Sequence, residues 1–357
     1  LPLELREAVY GHYFAPASHL TASEGGGGKW SYSFDFNLYY VSRQVYREAR
    51  KVFRRELNFI RVETPWPETA VLDEPRLTSI TENHVALEGA VPIVASSRRA
   101  EEFNDYHLLV SVDTPRMDFS ITKPFNMIIL LSDLHLFCRI WYYSALSYPG
   151  LNSHLRLTLR LQNPYSASPE EAPIRNSLQR QLLMPFGKVK GLDEVLIEGC
   201  DESVKAQLEA DMEIPYDSPE KCFEDATKLM EEGTEAFRKK EYEQALKLYM
   251  ESFRTMHILC NGRERSILAD AYFQIDLSGG TYDGQNASIV RLILRVKLVA
   301  RVIDAYLKLK EWGEAKFWGM RSISLMREAI GSETLEYIPE FIAAEDMAMI
   351  YLRTAIA

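Results

Sequence analysis

Leu229-Met-Glu-Glu-Gly233-Thr-Glu-Ala236-Phe237-Arg-Lys-Lys240-Glu-Tyr242-Glu-Gln-Ala245-Leu-Lys-Leu-Tyr249-Met-Glu-Ser252 decides how the C-terminal part of the chain folds. Apolar residues recur at helical spacing on either side of Lys239-Lys240-Glu241, predicting helices over 222–238 and 242–259. Small residues at Gly233, Ala245 and Ser252 let the two helices approach closely, while Phe237, Tyr242 and Tyr249 fill the space around them. The pattern returns in Ala305-Tyr306-Leu-Lys-Leu-Lys310-Glu-Trp312-Gly-Glu-Ala315, with Ser322 in the later small position. It predicts a second pair over 288–309 and 314–330. Further helix is expected from 335 to the end, with Pro339 as a start or break. A loop over 278–284 separates the pairs, and strand signals vanish from about Ser218.

The part before Ser218 has another character. Leu1 to Tyr10 starts with Pro2 in a first turn and places apolar residues at 1, 5 and 9, a short amphipathic helix. Residues 18–33, with Gly25 to Gly28, read as a loop. A strong helix is expected from Phe36 to Leu57, with Arg43, Arg47, Arg50, Lys51, Arg54 and Arg55 on its polar face. Strands are expected at 59–62, 108–112, 127–131 and 195–197. Leu155-Arg-Leu-Thr-Leu-Arg-Leu161 alternates strictly, as a half-buried strand does. Ser132 and Asp133 are expected to cap a following helix, and 164–173 reads as loop.

The 357 residues carry 41 Lys+Arg against 51 Asp+Glu, a formal charge of −10, with 46 % hydrophobic and 26 % charged residues. That composition excludes wholesale disorder. Between Asp193 and Arg254 there are 18 acidic and 8 basic residues, so this stretch accounts for the whole excess. A partner steered to it should be basic, and nucleic acid is not the expected ligand. No stretch approaches the roughly 18–20 uncharged apolar residues that span a bilayer. Four scattered cysteines, without CxxC or Cys/His pairing, fit reduced thiols and a cytoplasmic or nuclear location.

The two helical pairs resemble tetratricopeptide repeats. Ala245 and Ala315 stand 70 residues apart, about twice the 34-residue unit of that family. The resemblance implies an all-α array that holds a protein or peptide through exposed side chains, with Phe237, Tyr242, Tyr249, Tyr306 and Trp312 as the contact residues. Positions where some such repeats clamp a terminal carboxylate hold Met230 and Thr234. Leu1-Pro2-x-Glu4-Leu5-Arg6-x2-Val9-Tyr10 and Arg43-Gln44-Val45-Tyr46-Arg47-Glu48-Ala49 resemble the F-box-like domain of many filamentous-fungal proteins, although Ser42 replaces the usual Cys. That resemblance covers about residues 1–200. It implies docking on a Skp-type adaptor of cullin ubiquitin ligases through Leu1, Pro2, Leu5 and Val9.

Ile129-Leu-Leu-Ser-Asp133-Leu-His135 is the alternative, because Asp-x-His after a strand opens the calcineurin-like metallophosphoesterase signature. The later Gly-Asp and Gly-Asn-His motifs of that signature do not occur. Gly25-Gly-Gly-Gly28-Lys29 lacks the spacing and hydroxyl of a phosphate loop. The expectation is therefore an α+β protein: F-box-like helices over 1–66, an α+β body over 67–217 continuous with them, and a tetratricopeptide-like array over 218–357. Its expected role is a non-enzymatic adaptor that binds a protein partner. No catalytic residue, metal ligand or cofactor is assigned, and the alternative is a metal-dependent phosphoesterase centred on Asp133 and His135.

Overall fold

The computed structural model describes residues 1–22, 30–64, 91–115, 125–166, 174–330 and 343–357. The expected Gly25–Gly28 loop, the end of the 164–173 loop and the break at Pro339 lie outside them. The chain divides into two compact units, Leu1–Pro215 and Tyr216–Ala357. The first is mixed α+β and the second mostly helical.

In the first unit, helix α1 (Leu3–Tyr13) takes Pro2 as its N-cap residue. The helix expected from Phe36 to Leu57 is broken: a 3-10 turn covers Asn37–Tyr40, and α2 runs from Arg43 to Glu56. Ser42 is the cause. Its backbone is extended, and its hydroxyl accepts the Val45 N–H at 3.1 Å, which satisfies one of the donors a helix start leaves open.

Strands β1 (Leu20–Ala22) and β2 (Trp30–Tyr32) make a small hairpin. The main sheet contains β3 (Phe59–Thr64), β4 (Ala95–Ser96), β5 (Leu108–Asp113), β6 (Phe125–Leu130), β7 (Arg156–Leu161) and β8 (Glu194–Glu198), in the order β4-β6-β3-β5-β7-β8. The pairs β3/β5 and β7/β8 are parallel, and the others antiparallel. One face carries Ile60, Val62, Val110, Leu157 and Leu159 against α3 (Leu134–Ser147), α4 (Asn176–Leu183) and α5 (Glu202–Glu213). Strand β6 is buried throughout because Ile128 and Leu130 are covered on the other side by Leu57, Phe59 and Ala100. Toward β7 and β8 that second side is polar, and the pairs Arg156–Glu194 (2.6 Å) and Arg160–Glu198 (2.7 Å) cross the strands.

In the second unit, α6 (Pro219–Arg238) and α7 (Tyr242–Thr255) form one helical hairpin, and α8 (Ala287–Lys308) and α9 (Trp312–Ile330) another; α10 (Ala344–Ile356) packs on the latter. The same turn closes both hairpins. Lys240 (φ 67°) and Lys310 (φ 63°) occupy the left-handed region just past each first helix. Glu241 N–H bonds to Ala236 O and Lys240 N–H to Phe237 O; Glu311 N–H bonds to Tyr306 O and Lys310 N–H to Leu307 O. These are Schellman closures repeated 70 residues apart. Gly233 faces Tyr249 so closely that a Cβ there would lie 2.6 Å from the ring.

The expectation that strands end at Ser218 is wrong. Helix α7 stops at Thr255, and β9 (Ile258–Asn261) and β10 (Glu264–Ile267) follow as an antiparallel hairpin. Gly262, with φ 56°, is the first central residue of its two-residue turn, which is where such hairpins need a glycine. Arg291 of α8 fastens this insertion: its buried guanidinium donates to Met256 O, His257 O and Leu268 O and pairs with Asp270 at 2.7 Å.

Candidate partner-binding surfaces

Polar residues from the two N-terminal motifs join α1 to α2. Arg6 donates through Nε and Nη2 to the two oxygens of Glu48 (2.8 and 2.7 Å), Tyr10 O–H reaches Glu48 at 3.1 Å, and Gln44 donates to it at 2.9 Å. The Arg6 fork, followed by Gln44, holds the Glu48 carboxyl down to about 2. Tyr10, Phe14, Ala49 and Val52 pack as a small buried cluster on the same side.

This arrangement fixes what α1 turns outward. Leu5, Ala8, Val9 and His12 follow the i, i+3, i+4, i+7 spacing of one helix face and are all exposed. Leu1 is 83 % exposed, and Leu5 and Val9 are each 54 % exposed; Pro2 is exposed as well. The helix is thus apolar on two faces, one covered within the unit and one open to solvent. Val41, two residues before the second motif, is also exposed.

Among the five aromatic residues expected to contact a partner from the helical hairpins, Tyr249 is a correction. It is 1 % exposed and fills the space opposite Gly233, so it supports the hairpin from within. Phe237 and Tyr242 are half-buried and meet edge to face at 5.1 Å beside the Lys240 turn. Tyr306 is half-buried and Trp312 exposed, beside the matching Lys310 turn. On α6, Glu224, Asp225, Glu231, Glu232 and Glu235 are exposed with Lys221 and Lys228 among them, a mainly acidic outer face.

The Asp133 and His135 pair is engaged locally. Tyr32 O–H donates to Asp133 Oδ2 at 2.9 Å, and burial pushes the Asp133 carboxyl upward. His135 Nδ1 lies 2.7 Å from Ser132 O. Neither Ser132 nor Asp133 caps α3 through its side chain, because Asp133 is turned to Tyr32 instead. Among the described residues, no group of three or more His, Cys, Asp or Glu is placed to hold a metal ion. The basic face expected on α2 is also partly committed: Arg55 pairs with Glu7 and Glu56, and Arg54 stands 3.8 Å from Asp105.

Compared with known proteins, the chain matches no family model, no curated protein and no solved structure. Among the described residues, no helix is long and apolar enough to cross a membrane.

Proposed function

We propose that the protein is a non-enzymatic adaptor with a docking face on its F-box-like N-terminal helix and a second binding surface on tetratricopeptide-like repeats. The observation that carries this reading is the open apolar face of α1, held outward by the Arg6–Glu48 pair. A short helix that buries Tyr10 on one side and exposes Leu1, Leu5 and Val9 on the other lowers its free energy when a partner covers the second side, at roughly 25 cal/mol per Å² of apolar surface removed from water. The partner for this face is a Skp-type adaptor, which makes the chain a substrate receptor of a cullin-type ubiquitin ligase. The repeats then hold the protein to be modified. The acidic outer face of α6 supports a basic surface on that second partner.

The test is co-elution of the purified chain with a Skp-type adaptor on a size-exclusion column. Leu5→Asp with Val9→Asp, checked by circular dichroism, should abolish the shared peak while leaving the fold intact. Absence of a complex with the unsubstituted chain, or a complex insensitive to the pair of substitutions, removes the N-terminal assignment. Trp312→Ala with Phe237→Ala should reduce capture of the second partner and leave the first unaffected.

A further inference from the structure

The first unit holds a cavity of about 370 Å³ that the reading above does not use. It opens between α2 and the segment 32–39, and its size is that of a small-molecule site. Phe53 is its inner wall, with Phe34 at 5.7 Å, Phe36 at 5.4 Å and Phe59 at 5.8 Å between ring centroids. Phe103 closes a side by meeting Phe59 edge to face at 5.3 Å. Such walls accept a flat ring by stacking and by edge contacts.

The charged lining is equally definite. Arg50 and Arg54 stand one turn apart on α2, and both line the cavity. Arg54 lies over the Tyr165 ring at 4.3 Å and 3.8 Å from Asp105, so its charge is already shared. Arg50 stands 5.7 Å from the centroid of the Tyr46 ring, and among the described residues no carboxylate lies within ion-pair distance of it. Two guanidiniums against one carboxylate leave one positive charge at the mouth. Tyr39, also in the lining, makes no hydrogen bond through its hydroxyl among the described residues. Burial pushes it up to about 12, so it stays a neutral donor at ordinary pH.

We infer that this cavity binds a planar aromatic monocarboxylate, with the ring packed against Phe34, Phe53 and Phe103 and the carboxylate on Arg50 and the Tyr39 hydroxyl. The fork of a guanidinium matches a carboxylate in two parallel hydrogen bonds. A cationic ligand meets two like charges, and a dianionic phosphate brings more negative charge than the one net positive charge of the lining balances. An uncharged ring forgoes the Arg50 contact.

The experiment is titration calorimetry on the full chain with 1-naphthoate, 1-naphthalenemethanol, 1-naphthyl phosphate and 1-naphthylmethylammonium. The expected result is saturable binding of naphthoate at least about ten-fold tighter than the other three, equivalent to about 1.4 kcal/mol. Arg50→Gln, at an exposed position that leaves the fold unchanged, should weaken naphthoate about ten-fold and leave the alcohol unaffected. Arg50→Lys should fall between. No saturable binding of naphthoate at millimolar concentration, equal binding of the alcohol, a preference for the phosphate or the ammonium, or indifference to Arg50→Gln each overturns the assignment.

Discussion

Gly233→Ala places a methyl group where the structure has no room for one. A Cβ at this position stands 2.6 Å from Cε1 and 2.8 Å from Cδ1 of Tyr249, and 3.3 Å from Cβ of Leu248. Ordinary carbon contacts begin near 3.5 Å, so the ring or the whole of α7 must retreat by about 1 Å. The ring has no free direction, being 1 % exposed. Overpacking of this kind costs about 1–3 kcal/mol, while Ala in place of Gly in a helix interior returns about 1 kcal/mol. The net expectation is a loss of up to about 2 kcal/mol. In urea unfolding followed by tryptophan fluorescence, the midpoint should drop by up to roughly 1 M at unchanged slope. Combining the substitution with Tyr249→Leu, which withdraws the ring, should cost less than the sum of the two single changes by about 0.5 kcal/mol or more. A midpoint above that of the unsubstituted chain, or simple additivity of the two changes, would refute the close approach of α6 and α7.

Other outcomes follow from the same structure. Lys240→Gly and Lys310→Gly should each raise stability by up to about 1 kcal/mol in thermal melts, because both lysines sit in the left-handed region that a Cβ disfavours; loss of stability would contradict the Schellman turns. Burial holds His107 and His257 down to about 4. Unfolding therefore takes up protons below pH 6.5, so stability should fall as pH drops from 6.5 toward 4, by on the order of 2 kcal/mol per histidine. His107→Gln should flatten that part of the pH–stability curve, and an unchanged slope would place the ring in solvent. Tyr10→Ala should cost about 3 kcal/mol, whereas Leu5→Asp should change stability by less than about 0.5 kcal/mol, in parallel urea titrations.

The elements legible in the sequence were those with strong periodicity. The strict alternation of 155–161 is a strand buried on one face, and the small-residue spacing of 229–252 is a close helical hairpin. What escaped was local chemistry that cuts across periodicity. Ser42 caps a new helix inside an unbroken apolar pattern, and Gly262-Arg263 turns a hairpin where the helical pattern ran on to Leu259. Gly262 was the signal available there, since the first central position of such a turn takes a positive φ. An aromatic at a repeat position, such as Tyr249, can face either the partner or the neighbouring helix. Only the 2.6 Å approach at Gly233 places it inside. The aromatic cavity had no sequence signature at all, since its lining comes from 32–39, 50–59, 94–105 and Tyr165.

The strand order has a consequence for synthesis. Strand β3 ends at Thr64, but its two partners are β5 at 108–113 and β6 at 125–130. Ribosomes add roughly 5–20 residues per second, so the unpaired backbone edges of β3 wait several seconds before either neighbour can leave the tunnel. Helices α1 and α2 are tied by Arg6 and Glu48 without any residue beyond 56, so the exposed apolar face of α1 can be displayed on a nascent chain whose sheet does not yet exist. A partner captured by that face during translation would meet the growing chain earlier than the folded one.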